Sequence, residues 1–156
     1  MKPKVLWIED SARLELSNLT APVYSSRKYD FDLAIDVTTA VNILRIKSFN
    51  AIVVDVRLPP GVNSHWRKHY KNAGSDKVSA QLGLKFLRWL LMRDMSIYPV
   101  EPPNGITASQ IGMFTVEAKQ DIQDDIRILK VDIFQQKAAG LPDTILLDLF
   151  DRILSQ

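Results

Sequence analysis

Glu9, Asp10, Asp55, Thr115 and Lys137 are residue types that could share one piece of phosphate chemistry. Glu9 and Asp10 close the apolar run Val5-Leu6-Trp7-Ile8, and Asp55 closes Ala51-Ile52-Val53-Val54. Thr115 ends Ile111-Gly112-Met113-Phe114-Thr115, and Lys137 follows the run from Val131 to Phe134. Short continuous apolar runs of this kind read as buried strands. If the strands are parallel, these side chains meet at one edge of the sheet. Three carboxylates there repel one another unless a cation neutralises them. The chain has no cysteine, and an oxygen-only donor set favours a hard cation, Mg²⁺ or Mn²⁺ as its substitute. Mg²⁺ held by a few carboxylates keeps positions open for phosphate oxygens. A lysine ammonium and a threonine hydroxyl complete a phosphoryl site, and an aspartate carboxylate is a competent nucleophile toward phosphoryl groups.

The elements that must position these groups alternate. Ser11 is placed to cap a helix with Ala12, Leu16, Leu19 and Val23 on one face, its end set by Pro22. Phe31 to Ile35 reads as a second strand, followed by a short helix capped by Thr38 or Thr39 and carrying Val41, Leu44 and Arg45. After the third strand, Leu58-Pro59-Pro60-Gly61 turns the chain. Leu82 to Met92 is a helix with Phe86, Leu87, Leu90 and Leu91 inward, and residues 95–108 form an extended, proline-rich loop. Beyond the fourth strand come a weakly amphipathic helix from Gln120 to Ile128, the fifth strand, and a last helix with Pro142 in its first turn. That helix buries Ile145, Leu146, Leu149, Phe150 and Ile153. Five β-α units in this order predict one α/β domain over 1–156, with a five-stranded parallel sheet and helices on both faces. Ligands of such sheets bind beyond the carboxyl ends of the strands, where the acidic residues fall.

Composition is that of an ordinary globular chain, 46% hydrophobic and 24% charged. The absence of cysteine excludes disulfides, thiolate metal sites and a cysteine nucleophile, and fits a cytoplasmic protein. The amino terminus does not read as a signal peptide, and no run reaches the length of a membrane span. The net charge of +2 is too small to imply nucleic acid, but it is unevenly spread. Residues 62–80 carry Arg67, Lys68, Lys71 and Lys77 against Asp76 alone, a net +3 that leaves −1 for the rest. This basic segment shows no apolar period and is expected to be an insertion, solvated or partly disordered. With Trp66 and Tyr70 interleaved it is a candidate contact for nucleic acid or an acidic partner. His65 and His69, spaced i, i+4, have no evident third ligand for zinc.

Ile8-Glu9-Asp10, Val53-Val54-Asp55-Val56-Arg57-Leu58-Pro59, Phe114-Thr115 and Phe134-Gln135-Gln136-Lys137 together resemble the signature of response-regulator receiver domains. The ordered set, each member on its own strand end, carries the resemblance. It implies a flavodoxin-like (βα)5 receiver fold with Asp55 as the phosphorylated residue. It further implies Mg²⁺ held by Glu9, Asp10 and Asp55 with the Arg57 carbonyl, and Thr115 and Lys137 on the phosphoryl oxygens. Phe134 would be the aromatic that reorients on activation. A histidine kinase or phosphotransfer protein would be the donor, with output through contact with a downstream protein. Ala138 stands where the family usually has proline, Val116 replaces a usual small residue, and 62–80 lies between the phosphoacceptor loop and the next helix.

The receiver reading makes the chain no enzyme beyond its own phosphorylation and dephosphorylation. The alternative is a pseudo-receiver, a constitutive protein- or nucleic-acid-binding module working through its basic insertion. A Mg²⁺-dependent phosphohydrolase is disfavoured, because Glu9-Asp10-Ser11 does not supply the Asp-x-Asp of haloacid-dehalogenase-like enzymes. Arg57 and Glu117, each two residues beyond a strand-end site residue, are opposite charges on strands that the family order makes adjacent. They are expected to pair at the site mouth.

Overall fold

A computed structural model describes residues 1–72 and 80–156. Five parallel strands, β1 (Lys4–Ile8), β2 (Asp30–Ala34), β3 (Ala51–Val54), β4 (Ile111–Thr115) and β5 (Ile133–Gln136), form one sheet in the order β2-β1-β3-β4-β5. The helices are α1 (Thr20–Ser26), α2 (Val37–Ile46), α3 (Ser64–Asn72), α4 (Leu82–Met92), α5 (Gln123–Leu129) and α6 (Ile145–Leu154). The α/β fold with helices on both faces is the expected one. Alternation along β1 shows how it is built. Leu6 and Ile8 join the core beneath α2, α4 and α5, whereas Val5 and Trp7 join the core beneath α1 and α6. β1 and β3 are buried along nearly all their length, as central strands of a sheet covered on both faces must be.

Several local expectations are corrected. The helix placed after Ser11 begins only at Thr20. Residues 11–16 are hydrogen-bonded turns and Ser17–Leu19 a 3₁₀ turn. Pro22 is the reason. Its ring is incompatible with a helix already running through residue 18, but it sits without loss in the first turn of α1, where its missing N–H has no partner to lose. Ala12, Leu19 and Val23 still pack into one core. Neither Thr38 nor Thr39 caps α2. Asp36 does, its Oδ1 accepting from Thr39 N at 2.7 Å. β5 starts two residues later than the apolar run suggested. Lys130 leaves α5 in the left-handed region at φ 61°, and the Val131 N–H turns back to the Ile126 carbonyl, 3.3 Å away.

The largest correction concerns 62–80. Its residues 73–79 lie outside the described residues. Within the rest, Ser64–Asn72 is helical and Trp66 is 0% exposed, so the segment is not simply a solvated loop. Asn63 caps α3, its Oδ1 accepting from the amides of His65 at 2.9 Å and Trp66 at 3.3 Å. Trp66 packs edge-on to Trp89 of α4 and tilted on Tyr98 of the 95–108 loop, ring centroids 6.5 and 5.5 Å apart. His69 Nε2 meets the Ile97 carbonyl at 2.7 Å and its Nδ1 faces Lys85 Nζ at 3.4 Å. Both ring nitrogens are engaged, which removes His69 as a zinc ligand. Trp89 Nε1 donates to the Val100 carbonyl at 2.7 Å. Residues 62–72 and 95–100 are thus two sides of one packed unit.

Candidate phosphoacceptor site

Parallel pairing sets Ile8 beside Val54 and Val54 beside Met113, so the residues that follow leave the sheet along one edge. The ladder runs on by one more bond, Asp55 N donating to the Ile8 carbonyl at 3.1 Å. Asp55 is 3% exposed and Glu9 1%. Asp10 is exposed. One carboxylate oxygen from each of Glu9, Asp10 and Asp55 lies within 4.8 Å of the others, and no other such group of three occurs among the described residues.

Lys137 reaches into this cluster. Its main-chain N–H donates to the Thr115 carbonyl at 2.7 Å, extending β5 alongside β4. Its ammonium donates to Asp55 Oδ2 at 3.0 Å and to Glu9 Oε1. Ala138 in place of the family's proline does not keep Lys137 from Asp55. The other Asp55 oxygen, Oδ1, accepts from the Arg57 main-chain N–H at 3.3 Å. Glu9 Oε2 accepts from Ser11 N at 3.2 Å. Thr115 is fully buried at the end of β4, its hydroxyl oxygen accepting from Glu117 N at 3.3 Å. Phe134 is half-buried against the core on the α2–α5 side, and Val116 is exposed.

The electrostatics show a site short of positive charge. Burial pushes Glu9 up to about 8, the charge on Asp55 adds to the rise, and Lys137 only partly offsets it. Burial pulls Lys137 down, but attraction to Asp55 and Glu9 outweighs it and raises the ammonium above its ordinary value. One lysine thus faces three carboxylates, and burial favours the neutral form of Glu9. An all-oxygen cluster with this deficit fits a hard divalent cation.

Arg57 Nε donates to Glu117 Oε1 at 2.6 Å, so the pair expected from the sequence is formed. Gly83 escaped the sequence reading. Its N–H donates to the Val56 carbonyl at 2.9 Å, and a Cβ added there would lie 2.0 Å from the Asp55 carbonyl oxygen. The available signal was a glycine one residue inside a strongly apolar helix. Such a residue weakens the helix unless something must approach it closely. The anchoring of the loop after Asp55 was also missed. The Pro59 and Pro60 carbonyls accept from Val37 N and Thr38 N, both at 3.1 Å, and the Thr38 hydroxyl donates to Pro60 at 2.6 Å. Gly61, at φ 77°, lies so close to Asp36 and Thr38 that a side chain would collide with both.

No family model and no curated protein matches the chain. Solved structures do match along its length. Chemotaxis response regulator CheY4 of Vibrio cholerae is 19% identical, with a TM-score of 0.61 over 99% of this chain and 100% of that one. A CheY-like response regulator receiver domain protein from Methanospirillum hungatei JF-1 is 14% identical, with a TM-score of 0.61 over 99% and 95%. The Francisella response regulator 1452 receiver domain is 13% identical, with a TM-score of 0.60 over 99% and 98%. The chain resembles these proteins in architecture over nearly its entire length, and its fold is that of a response-regulator receiver domain.

Proposed function

We propose that the chain is a receiver that accepts a phosphoryl group on Asp55 from a phosphohistidine donor, a histidine kinase or a phosphotransfer protein. The observation that carries the reading is the Lys137 ammonium bridging Asp55 and Glu9, with Asp10 in the same cluster. In the transfer an Asp55 carboxylate oxygen attacks phosphorus, the P–N bond of the donor breaks, and the imidazole leaves. Glu9, Asp10 and Asp55, with the Arg57 carbonyl, would hold Mg²⁺, which when bound offsets the charge of the incoming phosphoryl oxygens. Lys137 moves from pairing with a carboxylate to pairing with a phosphoryl oxygen, and Thr115 supplies a hydroxyl donor. The new acyl phosphate adds close to two negative charges, to which the half-buried Phe134 and the surface around α5 and β5 respond. Output is a contact with a downstream protein.

The test is incubation with acetyl phosphate and Mg²⁺, followed by mass analysis. A gain of one phosphoryl group that is lost in Asp55→Asn and reduced in Lys137→Ala is the expected result. An unchanged mass, with or without Mg²⁺, rejects the reading. Sustained turnover of a small phosphate ester would favour a phosphohydrolase instead. No helix among the described residues is long and apolar enough to cross a membrane.

A further inference from the structure

We propose that the outward face of α3, with the loop that leads into it, docks an acidic segment of a partner protein that also carries an apolar side chain. Three observations lead there. First, α3 is held rigidly from behind. Trp66 is its fully buried residue, locked against Trp89 and Tyr98, and His69 is tied to the Ile97 carbonyl. Both α3 and the 95–100 stretch contribute to this anchoring, which a solvated loop would not need. Second, the face left outside is of one sign. Arg67 and Lys68 are exposed and have no ion-pair partner among the described residues. No carboxylate occurs in the sequence between Asp55 and Asp76. Third, a groove of about 730 Å³ runs along this face. It is lined by Arg67 and Lys68 together with Pro60 and Val62, and Val62 is 84% exposed.

Charge complementarity selects an anion, and the apolar lining selects an anion with a hydrophobic residue beside it. A protein segment meets both requirements better than a nucleic acid. Strand-tracking surfaces stack bases on exposed aromatic rings. Here Trp66 is buried, His65 lies edge-on to Tyr98, and Tyr70, which does line the groove, is half-buried against the core, so the described residues present no row of exposed rings. The total charge of +2 also supplies little of the long-range field that drives phosphate-backbone binding. None of the described residues lining the groove belongs to the carboxylate cluster of Glu9, Asp10 and Asp55. The groove adds a second contact surface to the receiver.

The experiment is selection of peptides from a random-sequence display library on the full chain, followed by affinity measurement on synthetic copies of the enriched peptides. Enrichment of sequences combining Asp or Glu with an apolar residue is expected. Their affinity should fall by at least about tenfold in the double variant R67E/K68E and by a smaller factor in Val62→Ser, and should weaken with salt. All three substituted side chains are at the surface, and cooperative melting of each variant verifies the fold. The acetyl phosphate mass shift measured on R67E/K68E separates this outcome from failure of the receiver chemistry. No acidic enrichment, or equal binding to R67E/K68E, overturns the proposal. Tighter binding of an oligouridylate or a DNA duplex than of any selected peptide, abolished by R67E/K68E, replaces it with a nucleic-acid surface.

Discussion

Arg57 Nε and Glu117 Oε1 stand 2.6 Å apart, linking the chain two residues beyond Asp55 to the chain two residues beyond Thr115. Water that hydrolyses an acyl phosphate on Asp55 must approach in line with the breaking bond. The pair is therefore expected to act on the lifetime of the phosphoryl group far more than on stability. The Arg57 side chain is 42% exposed, which limits the pair to about 0–1 kcal/mol of folding energy. Arg57→Ala and Glu117→Ala should each speed dephosphorylation severalfold, and the double variant should add little to either. Rates of phosphoryl loss after removal of the donor measure this directly. Additive effects would mean that the two side chains act separately.

With no divalent cation added, Glu9 should make the stability of the protein depend on pH in an unusual direction for a carboxylate. Its folded-state value near 8 lies above the ordinary 4.5, so over that interval the native state holds a proton that the unfolded state releases. The stabilisation is complete below about pH 4.5 and is lost as pH rises through 8. Denaturant melts in a chelator should show stability falling between pH 5 and 8, by at most about 1.4 kcal/mol per pH unit. Lys137 does not contribute in this window, because its raised value lies above it. Glu9→Gln should flatten the slope. A wild-type slope of zero or of opposite sign would remove the raised carboxyl from the account.

How far the sequence alone could lead is visible in particular residues. β1 and β3 were legible because strands covered on both faces must be continuously apolar, and Val5 to Ile8 and Ala51 to Val54 are. The strand-end set was legible because parallel topology turns separate positions into one edge. What escaped depended on contacts between segments distant in sequence. Trp66 sits in a stretch whose charges mask any helical period, and only Trp89 and Tyr98 reveal it as an anchor. Asp36 outcompeted Thr38 as the cap of α2 because the Thr38 hydroxyl is committed to the Pro60 carbonyl. The start of β5 moved because Lys130 adopts a left-handed exit that its residue type does not announce.

Trp66 allows the role of the α3 segment in folding to be measured. It is fully buried among rings, so Trp66→Ala should cost about 3–5 kcal/mol. Its Nε1 has no hydrogen-bond partner among the described residues, so Trp66→Phe should lose volume alone and cost clearly less. Replacing 62–80 by a short Gly-Ser linker should lower the melting midpoint at least as much as Trp66→Ala does. Equilibrium denaturation of the three variants decides the matter. If the linker variant melts like wild type, α3 is an appendage and its packing contributes nothing to the domain.

Gly83 sets two opposing effects against each other, and their magnitudes decide the outcome. It lies inside α4, where alanine is preferred over glycine by about 1 kcal/mol. On propensity alone Gly83→Ala would stabilise the protein. But the new Cβ would stand 2.0 Å from the Asp55 carbonyl oxygen and 2.7 Å from Val56 Cα. Both are backbone atoms, in a loop held on its other side by Val37 and Thr38, so neither can swing aside like a side-chain tip. Relief requires the start of α4 to move off the loop, breaking the 2.9 Å bond from Gly83 N to the Val56 carbonyl. Overpacking of a fixed contact costs about 1–3 kcal/mol or more, which outweighs the propensity gain. Gly83→Ala should therefore destabilise the protein. It should also slow phosphorylation of the folded fraction, because the displaced loop carries Asp55 itself. Gly105→Ala is the control, at φ 84° with open space around it, and should show backbone strain without any effect on phosphorylation rate. Melting curves and acetyl phosphate time courses on both variants separate the two effects. A Gly83→Ala protein as stable and as reactive as wild type would show that α4 does not bear on the phosphoacceptor loop.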